Sequence, residues 1–121
     1  MIALDTHILL FALLGEPLTA REKRVLGKQE PWSIAAIVLW EIAMLVKKKR
    51  VSLNFDDSAT RQALARVHVW PLTLEIARAA TALDFQSDPA DELIAATSLV
   101  HAIPLLTRDK RIRASKRVPL A

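Results

Sequence analysis

The chain has 121 residues, of which 52% are hydrophobic, and its 17 Lys and Arg against 13 Asp and Glu leave a formal charge of +4. That length fits one domain, residues 1–121, with enough apolar mass for a buried core, which argues against wholesale disorder. Cysteine is absent, so disulfides and thiolate metal sites are excluded and a reducing compartment such as the cytoplasm is expected. The N-terminus lacks a basic leader, and the apolar stretch Ile34 to Val46 is broken by Glu41 and too short to span a bilayer. No membrane association is therefore expected. The positive excess alone is a weak pointer to a polyanionic partner.

In chain order, Ile2 to Leu4 reads as a short buried strand, followed by a helix from about His7 to Leu14. Thr19-Ala20-Arg21-Glu22 has capping-box spacing and opens a helix to about Lys28, with Gly27 near its end as a stop signal. Trp32 to Ile34 is the second strand, and a strongly apolar helix from about Ile37 to Lys49 follows, finished by cations through Arg50. Asp56, Asp57 and Ser58 supply caps for a helix through Arg66. Val67 to Leu72 alternates like a strand, with Pro71 blurring its end, and Thr73 caps a helix through about Leu83. Asp88-Pro89 starts a helix running to about His101, Ile103 to Leu106 is the last strand, and a basic tail closes the chain. Strands alternating with helices predict an α/β fold: a central, mostly parallel sheet flanked by helices on both faces.

In such sheets functional side chains gather beyond the carboxyl ends of the strands. Asp5 stands there after the first strand, where it either caps the next helix or faces a crevice, and Thr6 shares that ambiguity. Glu41 lies within a helix that is apolar on nearly every side, so its carboxylate needs a cation, a hydrogen-bond network or a wet cleft. Asp88 and Asp91 fall in one helical first turn; Asp88 reads first as a cap, whereas sequence position alone leaves the role of Asp91 open. Asp109 repeats the pattern of Asp5, an apolar strand followed by a hydroxyl (Thr107) and a carboxylate, although an ordinary turn aspartate would read the same. Carboxylates converging on one crevice would repel unless cations neutralised them, and hard oxygen ligands suit Mg²⁺ or Mn²⁺. Such ions activate water and stabilise a phosphodiester transition state.

At these residues the chain resembles a known family. Asp5-Thr6-His7, Trp40-Glu41-Ile42-Ala43, Asp88-Pro89-Ala90-Asp91 with Leu93 to Thr97, and Thr107-Arg108-Asp109 are similar, in order and spacing, to the motifs of PIN-domain proteins, and most of all to VapC-type bacterial toxins. The likeness runs from Ile2 to about Ile112. It implies a PIN fold, a Mg²⁺- or Mn²⁺-dependent endoribonuclease leaving 5′-phosphate and 3′-hydroxyl ends, a homodimer, and inhibition by a cognate VapB-type antitoxin. Carried over by position, Asp5, Glu41, Asp91 and Asp109 become the catalytic and metal-holding set, with Thr6, Asp88 and Thr107 in support. The chain departs from that pattern at Glu92, where relatives often carry arginine, at Ala90, often aromatic, and at Gln86-Ser87, where many have a histidine.

Three further groups bear on the site. His7 lies beside Asp5 and can approach a substrate, whereas His68 and His101 read as packing or surface residues. The tail cations Arg108, Lys110, Arg111, Arg113, Lys116 and Arg117 adjoin Asp109 and form either an RNA-backbone contact or a solvated surface. Trp32, Trp40 and Trp70 read mostly as core. Two other readings compete with a ribonuclease. One is a non-catalytic PIN-like module that binds RNA or protein, and the other is a receiver-type signalling domain. The receiver class needs paired acids after the first strand and an aspartate after the third, where this chain has a lone Asp5 and Thr73.

Overall fold

The computed structural model describes residues 1–28 and 31–121. Within them the chain forms β1 (Ile2–Leu4), α1 (Thr6–Leu14), α2 (Ala20–Lys28), β2 (Trp32–Ala35), α3 (Ala36–Lys47) and α4 (Ser58–Ala65). It continues through β3 (His68–Trp70), α5 (Leu74–Ala80), α6 (Pro89–His101), β4 (Leu105–Leu106) and α7 (Lys110–Arg113). The strands lie in the order β3-β2-β1-β4 and every pairing is parallel. Ala3 is opposite Ser33 on one side and Leu105 on the other. Beyond β4, Leu120 makes a parallel bridge to Leu105, so the end of the chain extends the sheet by one position.

This order fixes where a site can form. The chain leaves β1 towards β2 and β3, then returns past β1 to β4, so the direction of winding reverses beside β1. The crevice at that reversal lies beyond the carboxyl ends of β1 and β4. Residues following Leu4 and Leu106 open into it.

The strands are short, and the central β1 and its neighbour β4 are fully apolar, as strands covered on both faces require. Ile2, Leu4, Ile34, Leu105 and Leu106 are inaccessible to solvent or nearly so, and Ile8, Leu9, Val38, Ile42, Ala95 and Ile112 pack onto them from the helices in one cluster. Ser33 is also buried, and its hydroxyl donates to the Ile2 carbonyl at 2.8 Å, which satisfies it within the sheet.

Most expected elements are present with trimmed ends, and the trimming has local causes. The helix α3 stops at Lys47 rather than Lys49 because Lys49 turns left-handed (φ 58°), letting the N–H groups of Lys49 and Arg50 close on the carbonyls of Val46 and Leu45. The third strand keeps only His68–Trp70 of the expected Val67 to Leu72, since Pro71 lacks a donor for the ladder. The last strand begins at Leu105, after Pro104, rather than at Ile103. The helix α5 ends at Ala80 instead of Leu83. Gly27 lies near the end of α2, one residue before Lys28; Gly15 ends α1, left-handed at φ 69° with its N–H on the Phe11 carbonyl. The tail also contains a short helix, α7, that the sequence pattern did not suggest; Asp109 caps it by accepting from the N–H groups of Arg111 and Ile112.

Candidate active site

Asp5 ends β1 and caps α1, its carboxylate accepting the Ile8 N–H at 2.9 Å. Capping and facing the crevice are therefore not alternatives, because the other carboxylate oxygen accepts from the Thr107 hydroxyl across the strand reversal. Thr107, 2% exposed, also accepts the Asp109 N–H at 3.0 Å. One buried hydroxyl thus ties together the acids that follow β1 and β4, residues 5 and 109 of the chain.

Thr6 is likewise buried, and its hydroxyl donates to the Glu41 carboxylate, linking the start of α1 to α3. Glu41 is half-buried rather than enclosed: its neighbour Trp40 is 57% exposed and Leu39 is exposed as well. The expectation of Trp40 as core is therefore wrong, because α3 buries Val38 and Ile42 fully, packs Ile37, Leu45 and Val46 partly against the core, and leaves Leu39 and Trp40 exposed. Trp32 and Trp70 are partly buried.

On the opposite wall, Pro89 occupies the first turn of α6 and Asp88 stands at its cap position, but the Asp88 side chain makes no capping hydrogen bond and is exposed. Asp91, one turn in, accepts from the Ser87 hydroxyl at 3.1 Å. Ser87 carried no signal in the sequence beyond marking a departure from the family pattern.

Asp5, Thr6, Glu41, Asp91 and Asp109 line a single cavity of about 360 Å³, with His7, Phe11 and Arg108 at its sides. A larger cleft, about 560 Å³, opens by Trp32, Ala63 and Val67, and no acid among the described residues lines it. Burial pushes the Asp5 carboxyl above the usual carboxylate range, against the hydrogen bonds from Thr107 and Ile8, and the nearby Asp109 charge pushes the same way. Asp91 is raised for the same leading reason, with Asp109, Glu41 and Asp88 adding repulsion. The acids therefore feel one another's charge, which is the electrostatic condition for cation binding. Among the described residues they do not close into a finished cage of three or more ligating groups. Each is instead held by hydroxyl or backbone donors around a shared space.

Arg108, expected either at an RNA-backbone contact or on a solvated surface, is built into the wall of the cavity. Its Nε and Nη2 donate to the two oxygens of Glu22 at 2.7 and 2.6 Å, and its guanidinium lies 4.6 Å from the Phe11 ring centre. Glu22 completes the expected capping box, accepting the Thr19 N–H at 2.9 Å while its own N–H donates to the Thr19 hydroxyl at 3.1 Å. The other tail arginines brace the fold too: Arg113 donates to the Thr107 carbonyl and Arg117 to the Ala82 carbonyl. His68 and His101 flank Trp70, with His101 stacked on it at 4.0 Å, and neither lines the acidic cavity.

Residues 2–117 match the PIN domain family. Ribonuclease VapC22 of Mycobacterium tuberculosis (strain ATCC 25618 / H37Rv) is 32% identical over 120 residues, covering 95% of this chain and 92% of that protein. A toxin–antitoxin complex from Klebsiella pneumoniae contains a chain superposable with a TM-score of 0.76 at 23% identity, over 100% of this chain and 97% of that one. VapBC2 from Rickettsia felis, bound to a DNA fragment from its promoter, gives the same TM-score at 21% identity, over 100% and 98%. With the parallel sheet, the strand order and the acids at the winding reversal, these matches answer the question of ancestry and remove the receiver-type reading: the chain belongs to the PIN-domain family.

Proposed function

We propose that this protein is a divalent-metal-dependent endoribonuclease and the toxin half of a VapBC-type toxin–antitoxin pair. The observation that carries the reading is the convergence of Asp5, Glu41, Asp91 and Asp109 on one cavity at the winding reversal of the sheet. The 32% identity to a named ribonuclease supports the choice of RNA as substrate.

The donor set fits a hard cation. It consists of carboxylate oxygens, with no cysteine anywhere in the chain. Asp5, Glu41, Asp91 and Asp109 would hold Mg²⁺ or Mn²⁺, which when bound supplies an activated water and charge neutralisation at the phosphodiester. The protein's own groups set the stage for it. Thr107 and the Ile8 N–H fix both oxygens of Asp5, so the carboxylate cannot rotate away from the cavity. Thr6 orients Glu41 in the same way, and Ser87 orients Asp91. Asp88 starts α6 and adds negative charge near Asp91.

The partners follow from the same reading. Solved relatives are toxin–antitoxin complexes, which supports a VapB-type antitoxin for this chain. The exposed Leu39 and Trp40 on α3 support a second apolar interface, which we assign to a homodimer. No helix among the described residues is long and apolar enough to cross a membrane, and the lack of cysteine suits a cytoplasmic protein.

The test is incubation of purified protein with total cellular RNA in Mg²⁺, Mn²⁺ or EDTA, alongside Asp5→Asn. Cleavage is expected in either metal and to be lost in EDTA and in the variant. RNA binding without cleavage would favour the non-catalytic module, and equal cleavage by wild type and Asp5→Asn would sink the site.

A further inference from the structure

Beside the acidic cavity lies a second opening of about 270 Å³, lined by Thr19, Arg21, Glu22, Thr107, Arg108 and Arg113. The two openings share Arg108. One is therefore acidic and the other carries three arginines against a single acid, Glu22, whose two oxygens are already engaged by Arg108. We propose that this arginine cleft is a binding subsite for a backbone phosphate of RNA next to the bond being cut, with Arg108 as the hinge between the two openings.

The geometry of Arg108 suits that task. Its Nε and Nη2 edge is spent on Glu22, and Nη2 also reaches the Pro17 carbonyl at 3.3 Å. Its Nη1 has no acceptor among the described residues, so one edge of the fork is fixed while the other keeps two donors. Stacking on Phe11 removes further freedom, so little conformational entropy is left to lose when a phosphate oxygen arrives. Arg21 and Arg113 are anchored by one donor each, to the Ala121 and Thr107 carbonyls, and the remaining donors of both guanidinium groups are unassigned. A phosphodiester is the ligand such a cleft fits. It is a compact anion with several acceptor oxygens, and the neighbouring cavity is where the ribonuclease reading places the scissile one. The subsite rests on that reading.

The test is binding of a labelled single-stranded RNA of random sequence in EDTA, where cleavage is expected to be lost, followed by fluorescence anisotropy across a salt series. Phosphate contacts of this kind are sequence-independent, and each one contributes about 0.7 to the slope of log affinity against log salt for single strands. Arg108→Gln and Arg21→Gln are each expected to weaken binding severalfold and to lower that slope by about 0.7. Arg61→Gln, exposed on α4 and lining neither opening, should leave it unchanged. Thermal melts accompany each variant, and if Arg108→Gln melts early because the Glu22 pairing is lost, the exposed Arg21 carries the test. Wild-type slopes in both variants would overturn the subsite. Cleavage of total RNA is scored separately, so a wild-type protein that cleaves while the slopes stay fixed loses the subsite alone. A protein that does not cleave loses the ribonuclease reading instead.

Discussion

Thr107 and Glu22 show how single side chains hold this site together. Thr107 is buried with its hydroxyl between Asp5 and the Asp109 N–H, so Thr107→Val keeps the shape and strands both partners. A loss of about 1–3 kcal/mol in chemical denaturation is expected, together with a sharp fall in metal-dependent cleavage. Glu22 carries a different signature, because the Arg108 guanidinium holds its carboxyl at about 2 against an ordinary 4.5. A carboxylate whose folded value lies below its unfolded one stabilises the fold fully above about pH 4.5 and loses that contribution as pH falls towards 2. Stability from chemical denaturation should therefore fall with acid between those limits in the wild type, and fall less in Glu22→Gln. Asp5 was legible in the sequence because it directly follows an apolar strand, and Asp109 because it repeats that pattern two residues further on, after Thr107 and Arg108. The Arg108–Glu22 pair was not, since its partners lie 86 positions apart and each had a sufficient local explanation as a tail cation or a capping-box acid.

At the scale of elements, α1, α3 and α6 all end in the same way, with a left-handed residue and two N–H groups folded back onto the last turn. Only α1 uses glycine for it; α3 uses Lys49 and α6 uses Ala102, at φ 58° and 53°. Gly15→Ala is expected to cost about 1 kcal/mol, from backbone strain alone, because nothing lies within 4 Å of the added methyl. Ala102→Gly should move the other way and raise the melting temperature, relieving about the same strain less some unfolded-state entropy. Gly27→Ala, inside α2 with open space around it, should also stabilise, by about 0.5 kcal/mol. The helices themselves were readable from caps and periodicity, as Asp57 and Thr73 show by accepting the Thr60 and Ile76 N–H groups. Their ends were not, because lysine and alanine announce no left-handed turn. The exposure of Trp40 was hidden for a related reason: a helix apolar on all sides does not say which side the sheet will cover.

For the whole molecule, topology turns a scattered set of acids into one site. The reversal of winding beside β1 brings residues 5 and 109 to adjacent strand ends, while α3 and α6, which pack against each other, deliver Glu41 and Asp91 from either side. The alternation of strands and helices made the α/β architecture legible, and motif order across almost the whole chain made the family legible. Convergence in space was only implied by the sequence, as was the arginine cleft next door. The central claim is that these four carboxylates form one cation site, and calorimetric titration of the protein with Mn²⁺ tests it most directly. Saturable binding is expected for the wild type and should be lost in Asp5→Asn and in Asp91→Asn proteins whose circular dichroism is unchanged. Wild-type affinity in both folded variants would contradict the account.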